Sequence, residues 1–285
     1  MTPPEVWAQR EGHTRPNTPG WRVRVVPNKY PALASRGRWS GRNNGLYESW
    51  QGLGVHEVII ESPNHVVNIG ALSAAHFADI LRAYRDRMSD LERDTRWGYV
   101  LLYKNQGEHA GATLKHIHSQ LVALPTVPKE AVDELSGAKR HYESTGRCIY
   151  CEIIETEFYS GERLVAASES FVALCPFAAR FAYEIWILPK NHAAAFEQSS
   201  DLDIVALAHL LRDTVTRLNR ALDNPPFNYF VHTMPAHETP SAHYHWHIEI
   251  LPQLSRAAGF EWGTGSHMNS VAPEDAARLL RDAAV

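Results

Sequence analysis

The 285-residue chain has little cysteine, no long apolar run and no strong excess of either charge. Its three cysteines are too few for a disulfide framework and suit a reducing compartment. No apolar run approaches the roughly 20 residues that a membrane-spanning helix needs, and the N-terminus lacks the basic-then-apolar pattern of a signal peptide. A net charge of −4 gives no electrostatic basis for nucleic-acid binding. We therefore expect a cytoplasmic protein that binds neither nucleic acid nor membranes.

Histidine, by contrast, occurs 16 times and marks an internal repeat. In the first copy, a β-rich run ends at Pro63-Asn64-His65, and a helical stretch leads to a His-x-His strand that ends in Leu124-Pro125. The second copy has the same order, with His192 after its β-rich run and Leu251-Pro252 at the end of its His-rich strand. Such a long pattern is hard to duplicate by chance, so we interpret it as a true repeat.

The repeat divides the chain into two halves of ordinary domain size, 1–135 and 136–285. Apolar residues at helical spacing predict one long helix in each half, over 73–93 and over 202–222, the second capped by Asp201. Strands are predicted at 21–27, 56–61, 98–104 and 116–123 in the first half, and at 164–167, 171–174, 183–188, 229–232 and 245–251 in the second. Each half should form a mostly antiparallel sheet with one crossing helix, an α+β arrangement. A polar, helical connector is expected within 125–147.

The stretch His116-Ile117-His118-Ser119-Gln120 carries the most chemical information. Alternate side chains of a strand share one face, so His116, His118 and Gln120 should project together. A neutral imidazole there, just after the tight turn at Gly111-Ala112-Thr113, suits attack on a phosphorus atom. The pattern indicates nucleotidyl transfer, although the pentapeptide alone would also fit a strand with two surface histidines.

Four segments resemble those of one enzyme family. Residues 111–120, Gly-Ala-Thr-Leu-Lys-His-Ile-His-Ser-Gln, are similar to Gly-x-Ser-x-x-His-Pro-His-x-Gln, and 105–107 are similar to Asn-x-Gly. Residues 26–33 resemble a uridine-side segment, and 259–265 resemble a sugar-phosphate segment. On these motifs the chain resembles the galactose-1-phosphate uridylyltransferase family of the histidine-triad superfamily over essentially its whole length. Ile117 in place of proline and Thr113 in place of serine are departures, of which the second keeps the hydroxyl.

The resemblance implies an enzyme that moves UMP between a UDP-sugar and a hexose 1-phosphate by double displacement. His118 would attack the α-phosphorus and form a nucleotidyl-histidine, while Thr113 and Gln120 hydrogen-bond the phosphoryl oxygens. The first half would therefore be catalytic. The residues implied to bind the nucleotide sugar and the sugar 1-phosphate are Asn28, Tyr30, Asn105, Gly111, Phe260 and Glu261. The last two would complete the active site of the neighbouring subunit in a homodimer.

Gln120 separates reaction classes within the superfamily. Histidine-triad hydrolases usually carry a third histidine at this point, which can move protons for an attacking water, whereas an amide cannot. A phosphorylase or hydrolase would still use His118 but pass the nucleotide to inorganic phosphate or water, and plant relatives with a similar Gly-Phe-Glu-x-Gly-Thr-Gly segment resemble ADP-glucose phosphorylases. A non-catalytic nucleotide-binding module is the third alternative. The choice between uracil and adenine stays open.

The second half contains the ligand types of a closed, structural zinc site: two thiolates from Cys148-x-x-Cys151 and two imidazoles. His192 would supply one imidazole. Aligning the Leu251-Pro252 end with the superfamily pattern places His245 in the metal position, His247 in the nucleophile position and Glu249 in the third. His243 is the alternative fourth ligand. We expect Zn²⁺ as the cofactor of this half, which would also hold the sugar-phosphate segment.

A first metal site would use His65 and His116, which match ligands of the family. No cysteine lies N-terminal to them in the sequence. Either this lineage lost the cysteines, or the given start is downstream of the true one. Two histidines alone hold zinc poorly, so we expect this first site to be weak or vacant.

Overall fold

The computed structural model describes residues 2–37, 41–238 and 241–283. Short 3₁₀ turns at Ile69–Ala71, Glu108–Ala110 and Phe196–Gln198 connect longer elements. In chain order, these longer elements are β1 (Trp7–Arg10), β2 (Trp21–Pro27), β3 (Gly41–Asn44), β4 (Tyr47–Trp50), β5 (Val55–Ile60), α1 (Ala74–Glu92), β6 (Tyr99–Gln106), β7 (His118–Leu124), α2 (Lys129–Thr145), α3 (Ile149–Ser160), β8 (Leu164–Ala167), β9 (Phe171–Leu174), β10 (Ile185–Pro189), α4 (Asp201–Ala221), β11 (Phe227–His232), β12 (His247–Pro252), α5 (Gly259–Thr264) and α6 (Pro273–Asp282).

Ten strands form a single antiparallel sheet in the order β1-β2-β5-β7-β6-β11-β12-β10-β9-β8, and β3 pairs with β4 apart from it. The order β2-β5-β7-β6 in the first half is mirrored by β9-β10-β12-β11 in the second. The halves meet where β6 pairs with β11, with Asn105 opposite Asn228. The predicted α+β class with two similar halves is confirmed. The five strands of each half join through the β6–β11 pair into one sheet.

The two long helices begin at serine caps. Ser73 Oγ accepts a hydrogen bond from the His76 backbone N–H at 3.2 Å. For α4 the predicted cap Asp201 is wrong by one residue, since Ser200 has the extended backbone and accepts from the Asp203 N–H at 3.1 Å, while the Asp203 carboxylate accepts from the Ser200 N–H. Such a reciprocal pair satisfies two backbone donors that a helix start leaves free.

One apolar core lies between the sheet and the helices α1 and α4, which also pack against each other. Phe77 and Ile80 of α1 and Leu211 and Leu218 of α4 are fully buried in it. Each such side chain contributes roughly 1.5–3 kcal/mol through removal of apolar surface from water. A second apolar cluster joins α2 and α3 to β9 and β10. No helix in the described part of the chain is long and apolar enough to cross a membrane.

The two His-x-His strands begin two residues later than predicted, at His118 and at His247. The His118 ring is hydrogen-bonded to the His116 carbonyl, and the His247 ring to the His245 carbonyl. In each strand a side chain therefore takes the place of a strand partner for the carbonyl at the entrance. The predicted helical connector is α2. The boundary between the halves, predicted after residue 135, falls inside α2 and stays a prediction. The sequence did not predict β1, the β3–β4 hairpin, α3 or α6.

Candidate active site and metal centre

His118 lies at the entrance of β7, half-buried, with its ring orientation fixed by its own backbone. Its Nδ1 is 2.9 Å from the His116 carbonyl oxygen. A carbonyl can only accept, so Nδ1 carries the proton and the lone pair lies on Nε2. This is the tautomer that a nucleophilic imidazole needs, and the backbone selects it without help from a carboxylate.

A cavity of about 660 Å³ opens beside His118. Its lining includes Asn105 and Gly107 at the end of β6 and the turn from Gly111 to Thr113. Gly107 and Gly111 have φ of +87° and +89°, a backbone region that favours glycine. A Cβ on Gly107 would lie 3.0 Å from Pro226 Cβ. The predicted residues Asn105, Gly111, Thr113 and His118 therefore share one cavity.

A residue that sequence reasoning missed supports this loop from the second half. The Asn228 side-chain amide donates to Asn105 Oδ1 and to the Ala110 carbonyl, both at 2.8 Å. Because Asn105 Oδ1 is used in this way, its NH₂ group is left as a donor for a ligand. Asn228 is brought here by the pairing of β11 with β6, which no local sequence pattern reveals.

His56 joins the predicted uridine-side segment to Gln120. Its Nδ1 accepts from the Ala32 backbone N–H at 3.2 Å, so Nε2 carries the proton and donates to Gln120 Oε1 at 2.8 Å. The Asn28 amide nitrogen Nδ2 lies 3.2 Å from the same Nε2, a contact between two donors in this tautomer, and Asn28 Oδ1 accepts from the Tyr30 N–H at 2.9 Å. The Tyr30 ring itself is exposed. Asn28 and Gln120 are thus brought together through a histidine that the sequence analysis did not single out.

The predicted sugar-phosphate segment, residues 259–265, lies outside this cavity lining. Phe260 and Glu261 are on α5 at the surface of the second half, and they are not among the described residues that line the His118 cavity. Glu261 Oε2 accepts from the Ala258 backbone N–H at 2.9 Å, and this bond lowers the pKa of the carboxyl. Phe260 and Trp262 keep 44% and 81% of their surface exposed. The α5 residues thus lie outside the described lining of the His118 cavity in their own chain.

Cys148, Cys151, His192 and His245 form one cluster whose ligand atoms all lie within 4.8 Å of one another. Cys151 Sγ is 3.4 Å from His192 Nδ1 and 3.6 Å from His245 Nδ1. His243 lies outside this group, and its Nδ1 is hydrogen-bonded with Ser241 Oγ. The cluster could hold a metal ion.

The surroundings of the cluster favour metal binding. His245 Nε2 donates to the Pro189 carbonyl at 2.9 Å, and His192 Nε2 lies 3.3 Å from the Ser241 carbonyl. With these bonds on Nε2, both Nδ1 atoms keep their lone pairs and face Cys151 Sγ, an outer-shell arrangement common around zinc. Burial lowers the pKa of His245 to about 3, so its imidazole is neutral and able to coordinate. The donor set and its outer shell fit a closed tetrahedral ion.

In the first half the predicted remnant site is only a pair. The rings of His65 and His116 are 5.6 Å apart, and His116 Nε2 donates to the Ser62 carbonyl at 2.7 Å, as His245 does to Pro189. Over residues 2–37, 41–238 and 241–283, no cysteine, aspartate, glutamate or third histidine completes a metal-binding group with them.

His247, in the nucleophile position of the second half, is blocked. It is only 1% exposed, with Nε2 3.5 Å from Glu134 and 3.6 Å from Glu249. Burial alone would raise the pKa of Glu134, but the adjacent His247 and His232 lower it to about 2. Glu249 pairs with Arg180. The place that a nucleotide phosphate would need is thus filled by a carboxylate of α2, so His118 is the better candidate for the nucleophile.

Comparison with known proteins shows the family to which the chain belongs. A family described as Domain of unknown function (DUF4921) matches residues 54–283. An ADP-glucose phosphorylase of Arabidopsis thaliana is 38% identical over 268 residues, which cover 93% of this chain and 75% of that protein. A galactose-1-phosphate uridylyltransferase of Thermotoga maritima is 30% identical over 269 residues, covering 90% of this chain and 83% of that protein. The chain belongs to the galactose-1-phosphate uridylyltransferase family.

A solved structure of the same family gives a similar fold. The crystal structure of an ADP-glucose phosphorylase from Arabidopsis thaliana with bound ADP-glucose has a TM-score of 0.86 and 35% identity, over 100% of this chain and 88% of that one. The names of these family members include a transferase and a phosphorylase. Nucleotidyl transfer on sugar phosphates is the reaction class that these comparisons support.

Proposed function

We propose that the protein transfers a nucleotidyl group from a nucleotide sugar to a phosphate acceptor through a covalent nucleotidyl-His118. The observation that carries this proposal is the His118 ring at the cavity wall, with Nδ1–H held by the His116 carbonyl and the lone pair on Nε2. A covalent intermediate divides one difficult displacement into two easier ones.

In the first step His118 Nε2 attacks the α-phosphorus, an N–P bond forms, and the bond to the bridging oxygen breaks. The sugar 1-phosphate leaves with that oxygen. In the second step an ionised oxygen of the acceptor attacks the same phosphorus, the N–P bond breaks, and His118 returns with its proton on Nδ1. The acceptor oxygen already carries negative charge, so this step needs no general base.

The groups that bind the phosphoryl oxygens follow from the hydrogen bonds of the site. Gln120 Oε1 is used by His56, so the Gln120 NH₂ is the side of the amide left to donate. Asn105 likewise keeps its NH₂, and the Thr113 hydroxyl lines the cavity. Donors aimed at developing negative charge stabilise the transition state of such a transfer.

For the substrates we propose ADP-glucose and inorganic phosphate, which would yield ADP and glucose 1-phosphate. The 38% identity to an ADP-glucose phosphorylase and the likeness to a structure with bound ADP-glucose support this choice. The second candidate is the predicted transfer of UMP between UDP-glucose and a hexose 1-phosphate. The 30% identity to a uridylyltransferase and the segment 26–33 favour it.

Mass spectrometry of the intact protein separates these candidates. The protein is incubated with ADP-glucose or with UDP-glucose in the absence of an acceptor, and the adduct is located by peptide mapping. We expect an AMP adduct on His118 that disappears when phosphate is added and releases ADP. A UMP adduct that only galactose 1-phosphate discharges would establish the second candidate, and no adduct with either sugar would refute both.

We also propose that Cys148, Cys151, His192 and His245 hold a structural Zn²⁺ ion. A closed set of four protein ligands leaves no coordination position for a substrate. The ion would join the start of α3 to the loops before β12 and after β10, at a distance in sequence from the His118 turn. It would supply stability to the second half and take no part in the transfer steps.

Replacing Gln120 by histidine should divert the intermediate to water. A third imidazole at this position can accept a proton from an attacking water, a contribution that typically amounts to about 10²–10⁴-fold. In the absence of phosphate, we expect Gln120→His to release free AMP from ADP-glucose at least about tenfold faster than the wild type, because the new imidazole acts as a general base. Chromatography of the nucleotide products measures this.

Gln120→Ala is the matched control, since it removes the amide without adding a base. It should slow adduct formation and release no extra AMP. If Gln120→His hydrolyses ADP-glucose no faster than Gln120→Ala, the side chain at this position does not decide between water and phosphate.

We propose further that the protein acts as a homodimer in which α5 of one subunit completes the site of the other. Two observations support this: the Phe260 and Trp262 rings are exposed, and the described lining of the His118 cavity includes no residue of α5. Mixed dimers of inactive His118→Ala and impaired Glu261→Ala subunits should then regain activity, because one interface would pair an intact His118 with an intact Glu261.

The experiment measures turnover after subunit exchange verified by native mass spectrometry. Glu261 also caps α5, so circular dichroism and melting must show that Glu261→Ala is folded. A mixture that stays as inactive as its parents despite exchange would contradict the shared site.

A further inference from the structure

A buried ion pair lies directly behind the nucleophile. Lys104 Nζ is 2.5 Å from Glu61 Oε2, and the two side chains are 1% and 0% exposed. The same Nζ donates to the backbone carbonyl of His118 at 3.0 Å. Burial lowers the pKa of Lys104, and the Glu61 carboxylate opposes this effect. The peptide that follows the nucleophile is therefore bound by a charged group inside the core.

The pair extends into a network that fixes the next residue as well. Ser119 Oγ donates to Glu61 Oε1, and the Tyr84 hydroxyl donates to the same oxygen at 2.8 Å. The Tyr84 and Tyr229 hydroxyls are 2.6 Å apart, and Tyr229 is the cross-strand neighbour of Lys104. All five side chains are buried. The network thus ties the His118–Ser119 peptide to α1 and to β11 of the second half.

Stability alone does not account for such a network. Removing two charges from water is costly, and a buried ion pair can often be replaced by apolar side chains of similar volume without loss of stability. The surrounding core, in which Ile59, Phe77 and Leu102 are fully buried, is apolar.

The second half provides a comparison within the same chain. Tyr103 of β6 lies opposite Gln120 of β7, as Phe230 of β11 lies opposite Glu249 of β12. In the first half, Lys104 follows Tyr103 and Ser119 precedes Gln120. In the second half, the matching positions hold Val231 and Ile248, which are buried and apolar.

The positions that match Tyr84 and Glu61 in the second half are also apolar. Counted from its helix cap, Tyr84 occupies the same position in α1 as Leu211 does in α4, and Leu211 is buried. The end of β5, where Glu61 follows, corresponds to Leu188-Pro189 at the end of β10. The half whose nucleophile position is open has a buried polar network, and the half whose position is blocked by Glu134 has apolar side chains at the matching places.

From this contrast we infer that Lys104 and Glu61 are positioning residues for the transfer, which hold the His118 peptide at the place from which Nε2 reaches the α-phosphorus. The inference rests on the proposed role of His118. Their charges cancel, so they act through geometry rather than through a field at the phosphate. A misplacement of about 1 Å in a reacting group can cost about 10²-fold in rate.

The test is a volume-conserving double variant, Glu61→Leu with Lys104→Met, which removes both charges and leaves neither unpaired. Tyr84 and Ser119 can still hydrogen-bond to each other. We expect a melting temperature equal to or above that of the wild type, and a KM for ADP-glucose within about threefold. Single-turnover formation of the His118 adduct should fall between about tenfold and 10²-fold. Ile248→Val, at the place in the second half that matches Ser119, is the control and should retain the wild-type rate.

Ring ¹⁵N NMR of His118 provides a second readout, because a merely structural role would not change the ring environment of a folded variant. We expect broadened or shifted Nε2 signals in the double variant. If that variant does not fold, Ser119→Ala removes one anchor without touching the charges, and it should slow adduct formation about threefold to tenfold, the lower part of the positioning effect. A folded variant of either kind with the wild-type rate overturns the inference, whereas absence of an adduct in the wild type overturns the proposed function first.

Discussion

Replacing His118 by alanine is expected to abolish the nucleotidyl adduct and to lower turnover by at least roughly 10³-fold, because no other group can take over the covalent step. The neighbouring imidazoles cannot substitute. His116 points its Nε2–H at the Ser62 carbonyl, and His56 uses Nε2–H for Gln120. His247 is buried behind Glu134 in the second half.

The fold should survive this change. His118 is half-buried at a strand entrance, and among the described residues its ring is hydrogen-bonded to the backbone carbonyl two residues earlier. We expect a melting temperature close to that of the wild type and a further rise when ADP-glucose is added, since a ligand that binds the native state stabilises it. Retained binding with lost turnover locates the defect in the chemistry. Turnover within tenfold of the wild type would exclude His118 as the nucleophile.

The sequence allowed the elements with strong local signals to be predicted. The helices α1 and α4 followed from apolar spacing, and the Cys148/Cys151 pair, which is close in sequence, indicated a group of metal-ligand side chains that the structure brings together. The position of His118 followed from a motif in which the turn, the strand and the polar face are contiguous. Each of these depends on residues within one short segment.

Contacts between segments could not be predicted in this way. Asn228 reaches Asn105 only because β11 pairs with β6, and His56 reaches Gln120 only because β5 pairs with β7. Glu134 lies in a polar stretch whose sequence predicts an exposed connector, yet its carboxylate is half-buried against His232 and His247. Side chains that complete a site from a distant strand have no local periodicity to reveal them.

Replacing Cys148 or Cys151 by serine should reduce bound zinc to near zero and destabilise the second half. A structural metal site contributes folding free energy directly, because the unfolded chain does not hold the ligands together. Cys148 precedes the first turn of α3, Cys151 lies within that turn, and His192 and His245 follow and precede sheet strands. Without the ion, two thiols and two imidazoles would converge in a half-buried space with nothing to coordinate.

Metal content by elemental analysis and melting by calorimetry test this directly. We expect about one zinc per wild-type chain and a melting temperature lower by roughly 10 °C in either variant, as the loss of a few kcal/mol predicts for a chain of this size. Hydrogen exchange should rise most in α3 and in the loops that contain His192 and His245, and less in α1. A chelator should produce the same pattern in the wild type.

Cys175→Ala is the matched control, since Cys175 is a buried free cysteine that lies outside the cluster. Burial raises the pKa of the Cys175 thiol to about 12. This variant should keep its zinc, so any loss of stability there reflects packing alone. If Cys148→Ser and Cys151→Ser retain the metal and the melting behaviour of the wild type, the four side chains meet for a reason other than zinc. Their convergence would then have to be explained by the packing of α3 against β10.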